Sequence, residues 1–328
     1  MNSFSNHFEI PRAALFRRVL LLLGLALLLA PVFGTVDAQA ASVAIVYPEV
    51  REPYRSVFME IAHGMEQELG QPVGHYQLEE RDSSAERLIE QLKTDRVDVV
   101  VTLGRAGLAI AKPLSSAFPV VIGATMIRPD ELPSGLSGIS LTPAPEALFD
   151  NLKKLVPEIT KVTVIYDTRQ TAWEIEQAER AAKERGLTLT AKPTDSFRDA
   201  SDLFRQVLAE TKNNSIALWL PRENTAMDEQ AMLPEVLREA WEKNFVVFSS
   251  NLDHVRKGAL FSLYPDNVGM GRSLAGLALR QLRADGKFES IKLLQDLLIA
   301  VNLRTAEHLG LRFSNQIRRE FAMVFPTP

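Results

Sequence analysis

The chain of 328 residues carries 37 Lys and Arg against 41 Asp and Glu, a formal charge of −4, with 46% hydrophobic residues and no cysteine. Without cysteine there is no disulfide framework, no thiolate metal site and no thiol nucleophile. The mild acidity argues against a nucleic-acid partner, whose phosphates call for a clustered positive face.

The first forty residues stand apart from the rest. Arg12, Arg17 and Arg18 form a basic stretch, 19–30 is an unbroken apolar run (VLLLLGLALLLA), and Ala38-Gln39-Ala40 supplies a small-x-small pattern. The run is shorter than the roughly 20 residues a spanning helix needs. A cleaved export signal ending near Ala40 is expected, with a retained anchor as the alternative. That places a soluble chain in the periplasm, and the lack of cysteine excludes a lipoprotein. Losing Glu9, Asp37 and the three arginines moves the charge from −4 to −5. Residues 41–328 exceed what one hydrophobic core usually supports, so two domains are expected.

From there β-branched runs alternate with helical periodicity, the pattern of βαβ units. Strands are predicted at 42–47, 75–78, 97–103 and 120–124, with helices at 54–69, 85–92 and 104–111. A Pro-rich exit at 128–133 closes this set. A second set follows: helices at 146–155, 173–185, 200–211 and 228–243, strands at 162–166, 187–192, 215–220 and 245–249. Two halves with one rhythm imply an α/β fold of two similar lobes with a cleft between them.

Ligands of open α/β sheets bind beyond the carboxyl ends of the strands, where helices begin. The candidates there are Tyr47, Pro48, Thr102, Gly104, Arg105, Ala106, Thr125, Tyr166, Asp167, Glu223, Asn224, Ser250 and Asn251. Arg105 opens a helix and suits a carboxylate or phosphate; the plainer reading is a solvated or ion-paired arginine. Arg128 and Arg222 are weaker versions of the same idea. Tyr47 could wall a flat ligand, whereas Trp219, inside a strand, reads as core. Asn224 and Asn251 could fix polar groups of a ligand or cap helices.

Catalytic signatures are missing. The five histidines lack metal-ligand spacing, and no Gly-x-Ser-x-Gly, phosphate-loop or dinucleotide-loop motif occurs. Ser249-Ser250 with His254 is too little for a triad. No cofactor, metal or enzymatic activity is expected.

The segments GISLTPAPEALFDNLKKLVPEITKVTVIYDT (138–168), LWLPRENT (218–225), VVFSSNLDHVRKGALFSLYPDNVGMGR (246–272) and IAVNLRTAEHLGL (299–311) together resemble the solute-binding proteins of ABC transporters. The resemblance is to the family that includes tryptophan- and tyrosine-type binding proteins and spans about residues 43–320. It implies the type I periplasmic binding protein fold: two Rossmann-like lobes, three crossovers near 139–143, Tyr264 and 294–297, and a cleft between. Lobe I would comprise 41–140 and 264–294, lobe II 141–263 and 295–328. Tyr264, at a crossover, becomes a further cleft candidate. The implied function is capture of a small ligand, anionic or amino-acid-like, by hinge closure. The implied partner is an ABC permease, with the binding protein a monomer. The alternatives are a periplasmic sensor addressing a membrane receptor kinase or cyclase and, third, a periplasmic enzyme. Bacterial repressors share the fold, but the export signal and the lack of a helix-turn-helix oppose that reading.

Four places depart from the family pattern. Gly104-Arg105-Ala106-Gly107 stands for a Thr/Ser-Pro-Ala pattern, and Met126-Ile127-Arg128-Pro129 for an Asp-Pro. Arg222-Glu223-Asn224 replaces Thr-Asp-Asn, and Ser250-Asn251-Leu252 replaces Ser-Asp-Glu. An aromatic amino acid is therefore not carried over as the ligand.

Overall fold

A computed structural model describes residues 41–79, 85–131, 135–211, 215–223, 225–283 and 290–326. The export signal expected over 1–40 and the candidate Asn224 lie outside them. Two sheets divide the strands. The first contains β1 (Val43–Pro48), β2 (Gly74–Leu78), β3 (Val99–Leu103), β4 (Val120–Thr125), β5 (Ser137–Pro143) and β11 (Ile291–Leu294), in the order β11-β5-β4-β3-β1-β2. All its pairings are parallel. The second contains β6 (Lys161–Asp167), β7 (Thr188–Thr194), β8 (Ile216–Leu220), β9 (Val246–Ser249), β10 (Phe261–Pro265), β12 (Leu297–Asn302) and β13 (Phe321–Phe325), in the order β13-β12-β10-β9-β8-β6-β7. It is parallel except where β12 meets β10.

Helices cover both faces of each sheet, so β3 is buried along its whole length, as a parallel strand between two helical layers must be. On the first sheet lie α1 (Tyr54–Leu69), α2 (Ala85–Thr94), α3 (Gly104–Leu114) and α9 (Asn267–Arg283). The second carries α4 (Pro145–Leu155), α5 (Thr168–Glu184), α6 (Phe197–Glu210), α7 (Leu233–Lys243), α8 (Leu252–Lys257), α10 (Leu303–His308) and α11 (Asn315–Arg318). The chain passes between the sheets three times: from β5 to α4, from β10 to α9 and from β11 to β12. This makes two lobes, each with apolar clusters on both faces of its own sheet.

Helix starts moved where a cap lay upstream of the apolar period. α5 begins at Thr168 rather than 173 because the Asp167 carboxylate accepts from the Arg169 N–H. α6 begins at 197, capped by Ser196. α7 begins later than 228, at Leu233 with Pro234 in its first turn, because Asp228 Oδ1 accepts from Gln230 N and Ala231 N and holds a separate turn.

Candidate functional site

In lobe I the turn from β3 into α3 leaves a helix terminus open. Its N-cap, Leu103, has no side-chain bond to offer, so the first-turn N–H groups lack a capping partner. Gly104 has φ 74°, and a Cβ there would stand 3.3 Å from the Phe58 ring. A Cβ at Gly107 would lie 2.9 Å from the Thr102 carbonyl carbon, so glycine lets α3 press onto the end of β3. Beneath it Thr102 Oγ1 is buried without a hydrogen-bond partner. Arg105 is exposed and has no hydrogen bond or ion pair among the described residues. Pro48 and Ala106 line a cavity of about 530 Å³ beside it, walled by Leu78, Ile110 and Pro113.

On the neighbouring strand β4, the register with β5 shifts between Ile122 and Thr125, and Ala124 sits at φ 53°. A side-chain-bearing residue in that region is strained, and such strain collects at functional turns. It leaves Thr125 half-buried and Met126 exposed at the strand end. Tyr47 takes the plainer role. It is 4% exposed, packs 5.7 Å from Phe58 and meets His75 Nδ1 at 3.4 Å through its hydroxyl.

In lobe II the candidates hold one another. Glu223 Oε2 accepts from Asp167 N at 2.8 Å and from Thr171 Oγ1 at 3.1 Å, tying the loop after β8 to the start of α5. Asp167 accepts from Arg169 Nε and Nη2 and from Gln170 Nε2, which also reaches Thr225. Those donors, the Arg169 guanidinium first, hold the Asp167 carboxyl well below the usual carboxylate range. Burial and then the Glu223 charge push Glu174 up to about 8, and burial also raises Glu223. Oε1 of each is buried without a hydrogen-bond partner. Sequence reasoning missed Glu174 and Arg169. The signal for Glu174 was available: it falls on the α5 face that also buries Thr171, Ile175 and Ala178.

Ser250 Oγ accepts from Trp219 Nε1 at 3.1 Å, and Asn251 caps α8, its Oδ1 accepting from Asp253 N. Ser249 and His254 are 2.8 Å apart, but the geometry is not that of a nucleophile and base. The Ser249 hydroxyl is fully buried, out of a ligand's reach, and lies 3.1 Å from the Leu220 carbonyl as well as 2.8 Å from His254 Nδ1. Burial lowers the His254 pKa, against the opposing pull of the Glu229 carboxylate. Among the described residues no group of three or more His, Cys, Asp or Glu could hold a metal ion. No described helix is long and apolar enough to cross a membrane.

Tyr166 is half-buried against the lobe II core, and Tyr264 is half-buried on β10 just before the second passage between sheets. Trp219 is fully buried between Phe149 and Phe248. Arg222 is exposed. Arg128 pairs with Asp130 and Glu131 and reaches across to the Arg169 carbonyl. That bond runs from the strand-end loop after β4 to the start of α5, so the strand ends of the two sheets face each other.

Two mostly parallel α/β lobes crossed three times, with strand ends opposed, define a two-lobed binding protein of the type I periplasmic class. Residues 73–324 match the family model for ABC transporter substrate binding protein, and the chain belongs to that family. Comparison with curated proteins returns no match. Among solved structures, the chain is similar to the ligand-free, open form of a substrate-binding protein with adhesive properties from Clostridium difficile. The two are 15% identical, over 88% of this chain and 100% of that one, with a TM-score of 0.60. An ABC domain in complex with L-Trp from Streptococcus pneumonia is 18% identical over 87% and 100%, with a TM-score of 0.46. A solute-binding protein from Burkholderia graminis in complex with D-arabinose is 14% identical over 79% and 95%, with a TM-score of 0.40.

Proposed function

We propose that this substrate-binding protein is exported, captures a small ligand with an anionic group between its lobes, and presents it to a membrane ABC permease. The supporting observation is the uncapped start of α3, with Arg105 unpaired above it and Thr102 Oγ1 unpartnered beneath it. A helix terminus and a free guanidinium favour the same charge. Ligand contacts to both lobes would shift the population toward a closed form, and no chemistry on the ligand is required.

The test is a thermal-shift screen of amino acids, small carboxylates, purine-like bases and phosphonates, since binding to the native state raises the melting temperature. An anionic hit is expected, and Arg105→Ala should weaken it by about 1.5–3 kcal/mol. A hit of unchanged affinity in that variant removes Arg105 from the site, and silence across the panel counts against capture.

A further inference from the structure

On lobe II, α7, α8 and α10 enclose a second concavity of about 560 Å³. It lies at the opposite end of the sheet from the strand ends described above. Its floor residue Gly258 precedes the start of β10, and Asn302 ends β12, which runs against β10. Four cations line it, Arg238, Arg256, Lys257 and Arg304, and no acidic side chain does.

Three of those cations have local explanations. Arg238 bonds Glu242 at 3.1 Å, Lys257 bonds Glu229 at 2.8 Å, and Arg256 lies 3.4 Å from Asp253. Arg256 and Lys257 also occupy the last turn of α8, where a helix favours positive charge. Arg304 has neither explanation. It stands in the first turn of α10, the end a helix disfavours for a cation, and has no carboxylate partner among the described residues. Its guanidinium carbon lies 5.5 Å from the Trp241 ring centroid.

Trp241 is 39% exposed yet fixed in place. Its ring stacks on His308 with centroids 3.5 Å apart and planes 7° apart, and its carbonyl meets His308 Nε2 at 2.8 Å. Pro234 and Leu237, three residues apart along α7 with Trp241 four beyond Leu237, continue the same helix face as an apolar wall. A held aromatic, an apolar wall and a guanidinium without a carboxylate partner match one chemistry. The volume falls within the roughly 300–1,000 Å³ of small-molecule sites.

We infer that this concavity binds a small organic carboxylate with an apolar body, its charge on Arg304 and its body against Leu237 and the Trp241 edge. Such a site sits within one lobe and operates without lobe closure.

Phenylacetate is a suitable probe, titrated into the full chain while the tryptophan indole N–H resonances are followed by NMR. The Trp241 signal is identified by its loss in Trp241→Phe. Phenylacetate should move that signal. Phenylacetamide, without the charge, and acetate, without the body, should each bind at least about fivefold more weakly. Arg304→Gln should weaken phenylacetate by a similar factor, Arg304→Lys less so, and Arg105→Ala not at all. No movement at Trp241, an equal response to phenylacetamide, or loss of the response in Arg105→Ala each overturns the inference. The last outcome would assign the binding to the strand-end cleft.

Discussion

Arg128 in lobe I and Arg169 in lobe II are joined directly: Nη1 of Arg128 donates to the Arg169 carbonyl at 2.5 Å. Arg128 is aimed by its own loop. Its Nη2 lies 3.2 Å from Glu131 Oε1, and its Nε lies 3.2 Å from Asp130 Oδ1, near enough to pair but misaligned for a hydrogen bond. Arg169 is held in turn by Asp167 and by the Asp195 carbonyl. The bond therefore links two braced strand-end loops.

A charged donor on a carbonyl contributes about 1.5–3 kcal/mol when shielded, and less here because the Arg128 side chain is 31% exposed. Arg128→Ala is thus expected to cost the joined arrangement on the order of 1 kcal/mol, about a fivefold change in population. Small-angle scattering of the ligand-free chain should record a larger radius of gyration in the variant. An identical profile would show that the bond does not restrain the lobes.

The buried acids of lobe II give opposite pH limbs. Glu174 faces Glu223, with Thr171 and Asp167 completing the cluster, and its carboxyl is raised from 4.5 to about 8. Between those values the folded chain holds a proton that the unfolded chain has released, so stability falls as pH rises from about 4.5 to 8. Asp167 has the opposite sign. Its lowered pKa stabilises above its ordinary 3.8, and that contribution is lost as pH falls below it. Glu174→Gln keeps the shape without the charge. It should flatten the upper limb and stabilise the fold at pH 8 by on the order of 2 kcal/mol, with little effect at pH 5. Denaturant midpoints across pH 4–9 test this, and an unchanged slope in the variant would refute it.

Much of the scaffold could be read directly from residue periods. The face Val57, Phe58, Ile61, Met65 and Leu69 set α1, whose observed bounds are those predicted. Parity also decided more than the strand-end reading used. Val43, Ile45 and Tyr47 alternate onto one face of β1, so the Tyr47 ring had to follow its neighbours into the core. Ala217 and Trp219 do the same on β8. What spacing could not show was pairing across loops. Nothing local in Glu223 says that it would bond Asp167 N fifty-six residues away, or that Arg128 would meet Arg169. Those bonds depend on the side-by-side placement of β6 and β8 and on the approach of one lobe to the other.

The lobe I helices α1 and α9 cross at two glycines, and this contact supports the helix that follows the second passage between lobes. A Cβ on Gly64 would lie 2.0 Å from the Val268 carbonyl oxygen, and one on Gly271 would lie 2.1 Å from the Ile61 carbonyl oxygen. Both obstacles are backbone, so neither can yield by a rotamer change. Alanine is intrinsically the better helix former by about 1 kcal/mol, which on its own would make Gly271→Ala stabilising. The close approach reverses that sign. To admit the methyl group the helices must separate, and Ile61, Met65, Met270 and Leu274, all fully buried around the crossing, would lose contact together. Gly271→Ala is therefore expected to destabilise the chain by about 2–4 kcal/mol. Gly276→Ala on the same helix is the control, because its nearest neighbour is the end of the Arg280 side chain at 3.4 Å. Urea unfolding of the two variants decides the matter. Equal midpoints would mean that α1 and α9 separate freely, and that the glycines do not set their packing.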